Sequence, residues 1–242
     1  MRLLDDHIRA NDPLEAYKLR RHLLDKYTKS YPTLYSHEAT RIYGFFDLFK
    51  DLKSVPGDLV ECGVGRGRFL TIFAFANQFF QMNRDLYGFD SFQGFPVASK
   101  QDFGTRVKKE EKITGWDDVT PELIYHILGH DLDAEGSKST LDEQGVKRVK
   151  LIPGYFNETL ERNLPERIAF LHLDADLYQS TVDVLQACLP RMSAGGVLVF
   201  DELHEEEKWP GVKQAVDEIC HPLGLTPVWH KALQRYIIHM VK

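Results

Sequence analysis

Over the first 55 residues, apolar side chains return every three or four positions. "DPLEAYKLRRHLLDKYT" and "SHEATRIYGFFDLFKDL" both carry this helical period, with the breaker-rich "KSYPTLYS" between them. From Gly57 onward, short apolar runs alternate with helical stretches: "DLVECG", "FLTIFAFANQFF" and "DLYGFD", then "VKLIPG", "IAFLHLDAD", "STVDVLQACLPRM", "GGVLVFDE", "GVKQAVDEIC", "LTPVWH" and "RYIIHMV". Apolar runs that alternate with helices belong to a parallel sheet covered on both faces. The pattern predicts an α/β fold with a doubly wound, mostly parallel sheet and a helical cap over residues 1–55. No repeat or linker divides the chain, so residues 1–242 read as a single domain. Residues 96–117 are polar and irregular; a segment of that length inside a compact domain reads as a mobile flap near a ligand, with a surface insertion as the alternative.

Composition narrows the partners. With 242 residues, 43% of them hydrophobic, the chain can bury a substantial core. The net charge is −6 and the short basic runs lie beside acids, which excludes a nucleic-acid partner as the expectation. There is no apolar run of membrane-spanning length and no signal-like start. Three widely spaced cysteines without a CxxC pair fit a reduced, cytoplasmic setting. An apolar helical cap could also serve as a surface for a homo-oligomer.

Candidate chemistry begins at "GDLVECGVGRGRF", where a strand turns into a helix through Gly63, Gly65 and Gly67, with Glu61 just before them. A dinucleotide fingerprint GxGxxG fails in both registers, its third glycine falling on Arg68 or Leu70. An acid beside the turn would repel a pyrophosphate and attract a cationic amino group. Asp90 ends the next strand, 23 residues after Gly67, where an acid can accept hydrogen bonds from ribose hydroxyls. The turn therefore suits a nucleoside bearing an amino acid better than a dinucleotide.

Two later apolar runs end in carboxylates, one at Asp174 and Asp176, the other at Asp201 and Glu202. Parallel strands would deliver all four to the carboxyl edge of the sheet, where a hard divalent cation, Mg²⁺ by preference, relieves their repulsion. Taken singly, Asp176 could instead cap the following helix and Asp201 could be a turn acid. His172 alternates with Asp174 and reads as a hydrogen-bonded structural histidine, and His204 as a reserve base.

"LVECGVGRGRFL", "LYGFDSFQGFP", "LIPGYFNETL" and "FLHLDADLYQSTVDVL…GGVLVFDE" together resemble the motifs of the macrocin O-methyltransferase family. The resemblance implies a class I, Rossmann-like fold with a seven-stranded sheet, and methyl transfer from S-adenosylmethionine to a hydroxyl of a sugar or glycosylated natural product. It implies that Glu61, Gly63, Gly65 and Gly67 hold the methionine part of the cofactor, Asp90 and Ser91 the ribose, and Gly154 and Tyr155 the adenine. It places the metal on Asp174, Asp201 and Glu202, with Asp174 also the base. An NAD-dependent oxidoreductase and a non-catalytic S-adenosylmethionine-binding protein remain as alternatives.

Overall fold

The computed structural model describes residues 36–129, 145 and 148–241. The first helix expected in the cap lies outside these residues. The cap's second helix is present as α1, Ser36–Asp51. Its Phe45, Leu48 and Phe49, spaced by three and four positions, are buried together with Leu52 of the following turn.

After α1 the chain alternates as the apolar runs predict. β1 (Asp58–Cys62) leads into α2 (Arg68–Phe79), and β2 (Leu86–Asp90) is followed after a long crossover segment by α3 (Pro121–Gly129). Then come β3 (Val149–Pro153), α4 (Phe156–Asn163), β4 (Ile168–Leu173), α5 (Tyr178–Cys188), β5 (Met192–Phe200) and α6 (Pro210–Ile219). The short β6 (Val228–His230) and β7 (Arg235–His239) complete the sheet.

The seven strands lie in the order β3-β2-β1-β4-β5-β7-β6. β7 pairs antiparallel with both β5 and β6, while the other pairs are parallel. The strand order reverses between β1 and β4, so the crevice beyond their carboxyl ends is the place for a ligand. Strand alternation then sorts the side chains. Leu59, Phe170, Val197 and Val199 join the core under α1 and α2, whereas Val60, Leu171, Leu198 and Phe200 join the core under α4, α5 and α6.

On the α1–α2 side the core is rich in phenylalanine. The rings of Phe45 and Phe73 meet edge-on with centroids 5.0 Å apart, and Phe170 lies 4.9 Å from Phe49 and 4.8 Å from Phe73. Such pairs contribute about 0.5–1.5 kcal/mol each beyond simple burial. They also wall in His172, whose ring is 4.8 Å from Phe69 and 5.2 Å from Phe73.

The segment expected as a flap over residues 96–117 is fastened to the body. Asp102 is buried, its Oδ2 accepting from the amide and hydroxyl of Ser99 at 2.8 and 2.7 Å. Its Oδ1 accepts the Tyr178 amide at 2.6 Å, capping α5, which has no capping side chain of its own. Asp176 therefore does not serve as that cap. The Thr105 amide donates to the Glu207 carbonyl at 2.7 Å, and Ala98 and Val107 enter the core under α5 and α6. The three cysteines, Cys62, Cys188 and Cys220, are free and buried. Among the described residues no helix is long and apolar enough to cross a membrane.

Candidate active site

Gly63, Gly65 and Gly67 all take positive φ, at 96°, 49° and 75°. Gly63 matters most: a Cβ there would collide with the Asp174 carbonyl oxygen, because β1 and β4 leave the sheet side by side. The Asp174 amide donates to the Cys62 carbonyl at 2.9 Å, holding the glycine turn against the first acid of the other cluster. Asp90 sits across the turn. Its Oδ2 accepts the Gly65 amide at 2.9 Å and its Oδ1 the Phe92 amide at 2.8 Å, and the carboxylate's four lone pairs are not exhausted by these amides. Burial raises the Asp90 pKa against the pull of these amides.

The other residues expected around a cofactor are arranged about Asp90. The Gly154 amide donates to the Asp90 carbonyl at 2.9 Å, so the end of β3 lies beside it, and Tyr155 is the residue from which α4 starts. The Ser91 hydroxyl is occupied locally, accepting from the Gln93 amide at 3.0 Å and donating to the Gly94 carbonyl at 2.7 Å. Glu61 is 1% exposed and lies beneath the turn on the α1–α2 side, with Oε1 3.1 Å from Nδ1 of His172. Its other oxygen, Oε2, is buried without a hydrogen-bond partner. Burial, only partly offset by His172, lifts the Glu61 pKa to about 7.

His172 stands between two acids. Its Nε2 is 3.8 Å from Oδ1 of Asp201, beyond hydrogen-bonding range and still close enough for charge attraction. Burial opposes charge on this ring, but Asp201 and Glu61 outweigh it and raise its pKa to about 9. The same Oδ1 of Asp201 receives a hydrogen bond from Nε of Arg235 at 2.6 Å. Despite burial, His172 and Arg235 hold the Asp201 carboxyl well below the usual carboxylate range. Arg235 also donates from Nη1 to Nε2 of His204 at 3.3 Å. Burial and the guanidinium together lower the His204 pKa, so this histidine is neutral and its Nε2 lone pair is already engaged.

The carboxylates brought together are Asp174, Asp176 and Glu202, each with an oxygen within 4.8 Å of the others. This differs from the expected set of Asp174, Asp201 and Glu202. Asp201 meets Arg235 and lies near His172, whereas its neighbour Glu202 meets Asp174 and Asp176. Asp176 reaches that position with φ 59°, in the left-handed region that Asp enters more readily than most residues. Oε2 of Glu202 is buried without a partner. Burial first, then repulsion from the neighbouring acids, Asp201 among them, lifts Asp174 and Glu202 far above normal and Asp176 to about 7. Three acids gathered with an orphaned buried oxygen are a donor set that suits a hard divalent cation. Arg235 escaped the sequence reading, since only the antiparallel return of β7 brings it to this edge.

Comparison with known proteins agrees with this architecture. The family model described as Macrocin-O-methyltransferase (TylF) matches residues 49–228. The chain is 31% identical to mycinamicin III 3''-O-methyltransferase of Micromonospora griseorubida, over 68% of this chain and 66% of that protein. It is also 31% identical to 8-demethyl-8-(2,3-dimethoxy-alpha-L-rhamnosyl)-tetracenomycin-C 4'-O-methyltransferase of Streptomyces olivaceus, over 68% of this chain and 63% of that one. The chain thus spans just under two thirds of the length of either relative. Among solved structures, the O-methyltransferase NovP superposes with a TM-score of 0.66 at 25% identity, covering 84% of this chain and 80% of that one.

Proposed function

The chain belongs to the macrocin O-methyltransferase family, and on that premise we propose that it moves a methyl group from S-adenosylmethionine to a hydroxyl of a sugar or glycosylated natural product, with a divalent cation such as Mg²⁺ at the acid cluster. The observation that carries the reading is the meeting of the glycine turn with Asp174, Asp176 and Glu202 at one edge of the sheet. The names of the relatives favour a glycosylated acceptor.

Bound S-adenosylmethionine would supply an electrophilic methyl group, and a cation at the acid cluster would make the acceptor hydroxyl more acidic. The chain's own groups do the rest. Gly63 lets the turn lie directly against Asp174, which sets the cofactor site beside the acid cluster. Asp90 offers its remaining lone pairs to the ribose hydroxyls, with Gly154 and Tyr155 alongside for the adenine. The unpartnered Oε2 of Glu61 is suited to the amino group of the methionine part. Asp174 accepts the proton of the acceptor hydroxyl, which must lie close to it for transfer. Asp174, Asp176 and Glu202 hold the cation, while Oδ1 of Asp201 is given to Arg235. With Nε2 given to Arg235, His204 orients that arginine and does not act as the base.

The test is transfer of labelled methyl groups to glycosylated natural products and nucleotide-linked deoxysugars, before and after chelation. Label appearing in an acceptor, lost with chelator and restored by Mg²⁺, is the expected result. A purified protein that binds NAD and fails to bind S-adenosylhomocysteine overturns the reading.

A further inference from the structure

The far end of the crossover segment returns to the cofactor turn through one side chain. A Cβ built on Gly65 would stand 3.2 Å from both Cε3 and Cζ3 of Trp116, so the indole rests directly on the turn. Arg66 holds the ring from another side, its guanidinium carbon 4.7 Å from the ring centroid. Nη2 of Arg66 in turn meets both carboxylate oxygens of Asp118, at 3.1 and 2.8 Å. The peptide beneath the ring is the one whose amide binds Asp90, so indole, turn and the acid assigned to the ribose are linked in sequence.

Ordinary core packing does not account for this tryptophan. It is 43% exposed and adopts φ 63°, a conformation that costs a bulky residue on the order of 1–3 kcal/mol. Gly115, just before it, has φ 120° and open space where a side chain would be, which leaves the approach free to pivot. Gly94 faces it closely, a Cβ there standing 2.8 Å from the Gly115 carbonyl oxygen. A strained, half-exposed ring is therefore held on the cofactor turn by a cation–π contact to an arginine that is itself ion-paired, next to a glycine that can swing.

We propose that Trp116 is a cofactor-retaining residue: its ring closes the glycine turn over a bound sulfonium nucleoside and sets the rate at which the cofactor and its demethylated product leave. The inference rests on the turn being the cofactor site.

The experiment follows S-adenosylhomocysteine bound to the full chain, by calorimetry for affinity and by displacement for release rate. W116A is expected to weaken binding and speed release by about tenfold or more, equivalent to ~1.4 kcal/mol. W116F should fall between it and the wild type, and D118N, which frees Arg66 from its ion pair, should release faster with the ring still in place. Because the chain has three tryptophans, wild-type emission should change on binding and W116F should lose most of that change. If W116F and D118N stay folded and release ligand at the wild-type rate, the inference is overturned whatever W116A does. A wild type that binds no S-adenosylhomocysteine overturns the cofactor reading and this inference with it; a wild type that binds, with indifferent variants, overturns this inference alone.

Discussion

Nε of Arg235 donates to Oδ1 of Asp201 at 2.6 Å across 34 positions of sequence, and the two side chains are only 8% and 16% exposed. This pair separates the two acids that end β5. Asp201 is neutralised by a partner from β7, while Glu202 is grouped with Asp174 and Asp176.

Removing the guanidinium should leave Asp201 buried with only the more distant His172 to balance its charge. Arg235→Met is expected to lose about 3–5 kcal/mol in urea denaturation, and the double variant with Asp201→Asn should recover much of it. A single variant as stable as the wild type would show the pair to be incidental.

The identity of the third metal ligand separates two variants. Asp176→Asn should weaken Mg²⁺ or Mn²⁺ binding by about tenfold or more, whereas Asp201→Asn should change it little while Arg235 keeps that residue occupied. Calorimetric titration with each ion reads this directly. The reverse order would mean that Asp201, and not Asp176, is the third ligand.

Turnover and cofactor binding should part company at two other acids. Asp174→Ala is expected to cut methyl transfer by about 10²–10⁴-fold or more while S-adenosylhomocysteine still binds. Asp90→Ala should weaken that binding first, because it removes the acceptor offered to the ribose and frees the Gly65 amide. Full activity in the first variant would sink the proton-transfer role of Asp174; unchanged affinity in the second would sink the ribose assignment.

Stability should fall as pH rises. Glu61 and Asp176 titrate near 7 when folded, against ordinary values of 4.5 and 3.8, and Asp174 and Glu202 are raised further. The folded chain therefore binds more protons than the unfolded one above about pH 4, and stability present below the unfolded values is lost as pH climbs through the folded ones. His172 acts in the same direction: its contribution is complete below its ordinary value of 6.5 and disappears as pH passes about 9. Asp201 has the opposite sign but loses its contribution only in strong acid. In the metal-free protein the melting temperature should drop by several degrees between about pH 5 and pH 9. Saturating Mg²⁺ should flatten the part due to the acid cluster. A level metal-free profile would contradict these assignments.

Much of the architecture could be read from the chain because its local signals agree. The apolar runs are the observed strands, and the glycine turn opens α2 where its spacing predicts. The acids at the ends of β4 and β5 were also legible as an edge feature. Their grouping was not, because it depends on which face each of two adjacent residues takes and on the left-handed turn at Asp176. Asp102 and Arg235 stayed hidden for a similar reason: each acts on a residue far along the chain, Tyr178 in one case and Asp201 in the other. The irregular composition of residues 96–117 says that the segment forms no regular element. It does not say that one buried aspartate fastens it.

That fastening limits how the crossover segment could be exchanged between relatives. Asp102 is at once the end of a local Ser99 box and the cap of a distant helix, and Gly211 of α6 is bare where a side chain would strike it. A chimera that imports another enzyme's crossover segment would have to bring an acid at this position and keep glycine at 211. Without both, the graft would leave the first turn of α5 uncapped directly behind Asp174 and Asp176. Changes of length should then be borne best between Val107 and Glu111, before the Ala98 amide fastens the chain again at the Glu111 carbonyl and Trp116 reaches the glycine turn.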